Sequence, residues 1–152
     1  MRLTLLIAVF IFAVTSGPSR ADQDPAYVLV DVGRGVVLSD RYADKLWPPA
    51  SLTKLMTAYL AFKAMQAGQL GPRSPVVVSA NALAEPPSKM GYKVGTVINL
   101  DNALKMMIVR SANDIAVAIG ETVAGSESKF VAMMNVEAKR LGMNGSHFVN
   151  PN

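Results

Sequence analysis

Read along the chain, the apolar positions give strand, strand, then helices. Residues 27–32 are mostly β-branched and apolar, Gly33-Arg34-Gly35 follows as a turn, and Val36-Val37-Leu38 resumes the run, a pattern that predicts a β-hairpin. Pro48-Pro49 closes the next loop, and Ser51 stands where a helix cap is expected. Leu52, Leu55, Met56, Tyr59 and Leu60 then fall at i, i+3, i+4, i+7 and i+8, one helical stripe expected to pack inward until Gly68 ends the run. Residues 76–78 form a short strand candidate, Pro86-Pro87 and Gly91 mark a loop, and residues 94–98 are expected to be extended again. Leu100, Ala103, Leu104, Met107 and Ile108 repeat the helical stripe, residues 114–123 are Ala-rich and helical, and residues 126–141 predict a last helix. In that helix Phe130, Met133, Met134, Ala138 and Leu141 are expected to face inward, with Gly142 as the stop. There is no internal repeat, and the nine methionines sit mostly on these stripes, where filling the core is their expected role.

The start of the chain has a different pattern. Arg2 precedes an unbroken apolar run of ten residues, 5–14, then Gly17-Pro18 breaks it and Ser19-Arg20-Ala21 offers small residues to a signal peptidase. As a helix the run would reach about 15 Å, half of a bilayer core of about 30 Å. Residues 1–21 are therefore expected to be a signal peptide, with export to the periplasm or the outer face of the cytoplasmic membrane. The mature chain would begin at Asp22, leaving residues 22–152 as one domain. Composition agrees with a folded domain: 51% hydrophobic and 17% charged residues exclude a disordered or collagenous chain. The formal net charge of +4 shrinks once Arg2 and Arg20 are removed, since 13 basic residues then face 11 acidic ones and the net is +2. No basic cluster is left to follow phosphates, so nucleic acid is not expected as a partner. The absence of Cys excludes a thiolate metal site and a Cys nucleophile, and a single His argues against a His-based metal site or a Ser-His-Asp triad.

Candidate chemistry begins at Ser51-Leu52-Thr53-Lys54. A serine and a lysine three apart on a helix share a face, close enough for a neutral amine to take the hydroxyl proton. Neutrality requires that burial or a neighbouring cation lower the lysine pKa. Free backbone N–H groups at the helix start would favour an oxyanion there. The motif alone has little specificity: 11 serines and eight lysines in 152 residues give about 0.6 chance matches. A second copy, Ser126-Glu127-Ser128-Lys129, reads as a capped helix start on a solvated face. Ser-Ala-Asn also occurs twice. The copy at Ser79 to Asn81 follows a strand and is expected to cap a short helix, whereas Ser111-Ala112-Asn113 lies in a break between two striped helices, where side chains can project into a cleft.

These segments resemble a family. Pro49-Ala50-Ser51-Leu52-Thr53-Lys54-Leu55-Met56-Thr57 is similar to the nucleophile segment of the serine D-Ala-D-Ala carboxypeptidases, the low-molecular-mass penicillin-binding proteins, and Ser111-Ala112-Asn113-Asp114 resembles their Ser-x-Asn motif. The likeness continues through Gly125, Phe130, Met134-Asn135, Leu141-Gly142-Met143 and His147-Phe148-Val149-Asn150-Pro151, and its specificity lies in this extended order. The fold so implied is α/β of the α+β type, β-lactamase/DD-peptidase-like, with an N-terminal β-hairpin and a helical subdomain. The resemblance implies that Ser51 attacks the penultimate D-Ala carbonyl of a peptidoglycan stem peptide ending in D-Ala-D-Ala and that Lys54 is its base. Ser111 would relay a proton to the leaving amine, and Asn113 would bind the substrate backbone or hold Lys54. β-Lactams would acylate the same serine, and neither metal nor organic cofactor is implied.

One departure stands out. The family's Lys-Thr-Gly motif, which binds the substrate carboxylate and supplies an oxyanion N–H, occurs nowhere in this chain. The expectation is thus a truncated member, an incomplete catalytic domain lacking the remaining antiparallel strands and any C-terminal segment for peripheral membrane attachment, and inactive as it stands. Two other readings compete: a non-catalytic periplasmic remnant that binds cell-wall peptide, and a serine β-lactamase. The lactamase is opposed by Ala112, where class A enzymes have Asp, and by Glu121, Glu127 and Glu137 all falling on expected helices. His147 and Trp47 read as structural, Glu85 and Lys89 as exposed loop charges, and Asp114 as a first-turn charge for its helix.

Overall fold

The computed structural model describes residues 25–152, so the signal peptide expected at residues 1–21 lies outside the described residues. The chain divides into two compact units, Met1–Trp47 and Pro48–Asn152. The described part of the first is the expected hairpin. Strand β1 (Tyr27–Asp31) pairs antiparallel with β2 (Val36–Arg41), and the turn is closed by the Arg34 N–H donating to the Asp31 carboxylate at 3.1 Å. The register runs Leu29 to Ser39 and then Val30 to Val37, leaving Leu38 as the extra residue of a bulge. Beyond β2, the Lys45 ammonium lies 5.1 Å from the centres of both the Tyr42 and Trp47 rings.

The second unit is mainly helical. A short 3-10 turn, Ala50–Leu52, leads directly into α1 (Thr53–Gln66). Strand β3 (Pro75–Val77) follows, then α2 (Ala80–Ala84), β4 (Val97–Asn99), α3 (Leu100–Arg110), α4 (Asn113–Ala124) and α5 (Glu127–Arg140). β3 and β4 form a two-stranded antiparallel ribbon; β3 falls at the first expected extended segment, but of residues 94–98 only Val97 and Ile98 lie in β4, Val94-Gly95 being a turn with Gly95 at φ 84°. Helix starts are fixed locally: Ser79, Asn99 and Ser126 each accept a backbone N–H from three residues on, and each such cap is worth about 1 kcal/mol. Capping is thus the role of the Ser126 and Ser79 copies of the two motifs, as expected. Ser51 departs from expectation, since neither the 3-10 turn nor α1 has a side-chain cap.

Helix α4 is the centre of this unit. Its residues from Asp114 to Gly120 are all buried, and it touches α1, α2, α3, α5 and β3. A helix covered on so many sides has to be apolar nearly all round, which is why its stretch reads as Ala-rich without a polar face. One core gathers around it from Ala58, Ala61, Val76, Leu100, Met107 and Ile115; a second, between α1 and α5, holds Met56, Leu60, Phe130, Met134, Ala138 and Phe148. Fully burying a side chain such as Phe130 or Met134 contributes about 1.5–3 kcal/mol. Gly120 is required at the α4–α5 crossing, because a Cβ there would stand 2.8 Å from the Phe130 ring.

The inward stripes need correction at particular positions. Met56 and Leu60 on α1 are buried, but Leu55 on α1 and Leu52 in the preceding 3-10 turn are 59% and 66% exposed. Ile108 on α3 and Met133 and Leu141 around α5 are likewise exposed. The face α1 turns toward its neighbours is instead lined by Lys54, Thr57, Ala58, Ala61 and Ala64, small or polar residues that allow close approach.

Candidate active site

The unit brings Ser51, Lys54, Ser111 and Asn113 together. Ser51 sits in the 3-10 turn and Lys54 one turn later on α1. Ser111 occupies the break after α3, and Asn113 is the first residue of α4. The Lys54 ammonium lies 3.2 Å from Ser51 Oγ and donates to Asn113 Oδ1 at 2.7 Å. The Ser111 hydroxyl donates to Ser51 Oγ at 2.6 Å. Both hydroxyl and amine are committed to one another, which explains why Ser51 caps nothing.

Two backbone positions here are strained. Ala50, just before Ser51, has φ 49°, and Ser111 has φ 54° and ψ 36°, both in the left-handed region that costs a non-glycine residue roughly 1–2 kcal/mol. Residues hold such conformations only where their surroundings fix them, and such strain gathers at functional sites. At Ser111 the left-handed residue ends α3 and lets α4 begin two residues later, turning the side chain toward Ser51.

Electrostatics suit a base. Lys54 is 3% exposed. Burial pushes its pKa below the usual lysine value, and the Glu85 carboxylate pulls in the opposite direction without cancelling the effect. Asn113 is a neutral acceptor, so it can hold the amine through an N–H whether or not Lys54 carries its extra proton. With Lys54 neutral, its free lone pair can accept the Ser51 proton across the same 3.2 Å contact. The arrangement can thus generate a serine nucleophile, with a second hydroxyl at hand to pass a proton onward. Among the described residues no group of three or more His, Asp or Glu side chains could hold a metal ion, and no helix is long and apolar enough to cross a membrane.

Sequence reasoning missed part of the surroundings. Glu85 is half-buried and accepts a hydrogen bond from the Asn152 amide at 2.5 Å, and Lys89 donates to the Leu83 carbonyl at 2.9 Å, so neither is the solvated loop charge expected. Asp114 is in the first turn of α4 as expected, but it is wholly buried and accepts N–H groups from Met90, Gly91 and Ile115. Asn135 binds both the N–H and the carbonyl of Phe148, and Thr57 donates to the Pro151 carbonyl at 2.6 Å, fixing the segment that brings Asn152 to Glu85. His147 is exposed and takes no part in this cluster.

Comparison with known proteins points one way. The profile of the D-alanyl-D-alanine carboxypeptidase family, peptidase S11, matches residues 14–152. The D-alanyl-D-alanine carboxypeptidase DacC of Escherichia coli is 35% identical over 152 residues, covering 92% of this chain and 38% of the relative. The crystal structure of the carboxypeptidase DacD from Francisella tularensis superposes with a TM-score of 0.80 at 34% identity, over 97% of this chain and 35% of that one. Penicillin-binding protein D2 of Listeria monocytogenes, in its cefotaxime-bound form, gives a TM-score of 0.70 at 30% identity over 83% of this chain and 51% of its own. The chain therefore spans well under half the length of the curated relative and of the Francisella structure, and its mixed α/β architecture is part of their fold.

Proposed function

The chain belongs to the D-alanyl-D-alanine carboxypeptidase family, peptidase S11, and from that membership we propose that it contributes the nucleophile half of a serine carboxypeptidase that trims peptidoglycan stem peptides. The observation carrying this reading is the hydrogen-bonded chain that runs from Asn113 to Lys54, from Lys54 to Ser51 and from Ser51 to Ser111. Neutral Lys54 takes the Ser51 proton as Oγ attacks the carbonyl carbon of the penultimate D-Ala. The C–N bond to the terminal D-Ala then breaks, and the proton held by Lys54 passes through the Ser111 hydroxyl to the departing amine. Water, deprotonated in the same way, releases the shortened peptide from the Ser51 ester. A β-lactam would acylate Ser51 by the first of these steps, a reading supported by the cefotaxime-bound form of the Listeria relative. Export follows from the same reading, since the substrate lies outside the cytoplasmic membrane, and the apolar run at residues 5–14 supports a signal peptide at residues 1–21.

The test is covalent labelling. In the protein as the cell makes it, a fluorescent penicillin should attach to Ser51, located by peptide mapping. Ser51→Ala should abolish the label, while Ser126→Ala should leave it intact and lower helix stability by about 1 kcal/mol. Label that survives Ser51→Ala would refute the assignment.

A further inference from the structure

The most deeply buried charge near the site belongs to a residue with no part in the chemistry above. Asp114 is fully buried, and an isolated carboxylate in that position would be costly. Its oxygens are instead met by backbone donors: Met90 N–H lies 3.1 Å from both, Gly91 N–H 2.9 Å from Oδ2, and Ile115 N–H 2.9 Å from Oδ1. Gly91 has φ 71°, a conformation suited to glycine that points two successive N–H groups at one anion. A first-turn charge serving only the helix dipole needs none of this and would sit in solvent.

The loop that Asp114 anchors runs straight to the reactive groups. The Pro86 carbonyl accepts from Asn113 Nδ2 at 2.9 Å, which leaves Oδ1 of the same amide aimed at Lys54. The Ser88 carbonyl accepts the Asn113 N–H at 2.8 Å, and the Ser88 hydroxyl donates to the Arg110 carbonyl at 2.9 Å. Ser88 therefore bridges the residues on either side of the Ser111-Ala112 break. It brackets Ser111 in its left-handed conformation, and Asp114 ties down the end of the strap.

We propose that Asp114 is a positioning residue, which acts through the strap of residues 86–91 to hold Asn113 against Lys54 and Ser111 against Ser51. The proposal rests on the assignment of Ser51 as the nucleophile. Substituting Asn keeps the size of the side chain but replaces one acceptor with a donor facing backbone donors, so the strap loses at least one anchor. Displacement of a reactive group by about 1 Å can cost 10² in rate.

The experiment measures the second-order rate of labelled-penicillin attachment to Ser51 in the protein as the cell makes it, beside its melting temperature. Asp114→Asn should slow acylation by about 10–10². In the double variant Asn113→Ala/Asp114→Asn the loss should fall well short of the product of the single losses, because both act on the same groups. A multiplicative double loss would mean that Asp114 acts only on general stability and would overturn the proposal. If Asp114→Asn does not fold, Ser88→Ala decides, since that side chain is exposed and its removal loosens the same strap. Several-fold slower acylation at an unchanged melting temperature supports the proposal, and an unchanged rate overturns it. Failure of the unsubstituted protein to label at Ser51 would instead overturn the functional reading itself.

Discussion

In the proposed mechanism the proton leaving Ser51 must find Lys54 uncharged, and two features of the site pull that lysine in opposite directions. Burial disfavours the ammonium, while the carboxylate of Glu85 favours it. The net effect is a lowered pKa, so acylation should rise with pH through a midpoint below 10.5, the ordinary lysine value. Glu85→Gln removes an influence that raises it, and the midpoint should move further down. The pH profile of the acylation rate for the two proteins is the check, and a midpoint that stays put or moves up would show that Glu85 does not act on Lys54. At this scale the four side chains that converge were singled out in the sequence, but their company was not. Ser51 and Lys54 share their spacing with Ser126 and Lys129, so it is the extended family resemblance that singles them out, and Ser111 and Asn113 are favoured over Ser79 and Asn81 by lying between two striped helices. Glu85 and Asp114 gave no such signal, because what defines them is contact with groups 23 or more residues away along the chain. A lone acid in a Pro-rich loop, or in a helix's first turn, looks like a solvated charge until the tertiary structure buries it.

Among the elements, α1 shows where periodicity stops being decisive. Its sequence is apolar on more than one side, so a stripe through Leu52, Leu55 and Tyr59 is as regular as the face that actually packs. The α4 interface is won by the smaller residues Ala58 and Ala61, since two helices approach closely only where side chains are short. The caps at Ser79 and Ser126 were readable, being local hydrogen bonds within three residues. The connection between α1 and α5 was not readable, because it joins residues far apart in sequence. Glu137 on α5 is 2.8 Å from Lys63 of α1 and 2.6 Å from Arg140, whose guanidinium also donates to the Tyr59 hydroxyl at 2.9 Å. Hydrogen bonds from Arg140 and then Lys63 push the Glu137 carboxyl down to about 2, against its burial. A carboxylate with a depressed folded pKa stabilises the fold above its ordinary value of 4.5, and the contribution is lost as pH falls toward about 2. Between those limits the unsubstituted protein should lose more stability than Glu137→Gln, which has no such charge to neutralise. Denaturant midpoints measured at intervals from pH 6 down to about 2 would show it, and parallel curves would mean the network does not stabilise the fold.

At the scale of the whole molecule, the hairpin and the helical unit each keep apolar residues in the open. Val28, Leu29, Val37 and Leu38 on the hairpin are 51–60% exposed, and Leu52 in the 3-10 turn with Leu55 and Phe62 on α1 are 56–66% exposed. Several large apolar side chains left exposed on one element often mark a place where something else packs. A two-stranded ribbon is also marginal in water without a third strand or a covering helix. A polypeptide limited to residues 22–152 should therefore bind a hydrophobic dye such as ANS and self-associate. Its chemistry should suffer as well. In the proposed mechanism Ser51, Lys54 and Ser111 provide for proton transfer, but acyl transfer also needs paired donors at the oxyanion and a cation for the substrate carboxylate. The family motif expected to supply the second donor and that cation, Lys-Thr-Gly, does not occur in the sequence. One missing oxyanion donor costs about 10²–10³ in kcat, and an ill-positioned substrate about 10² more. Released D-Ala should accordingly be at least about 10⁴-fold slower from the 22–152 polypeptide than from the Escherichia coli relative assayed with the same D-Ala-D-Ala peptide. Slow, stoichiometric labelling of Ser51 by penicillin is still expected, because a strained lactam asks less of the oxyanion site than an unstrained peptide does. Turnover comparable to the relative's would show that residues 22–152 supply both the second donor and the cation from side chains that carry no recognisable motif.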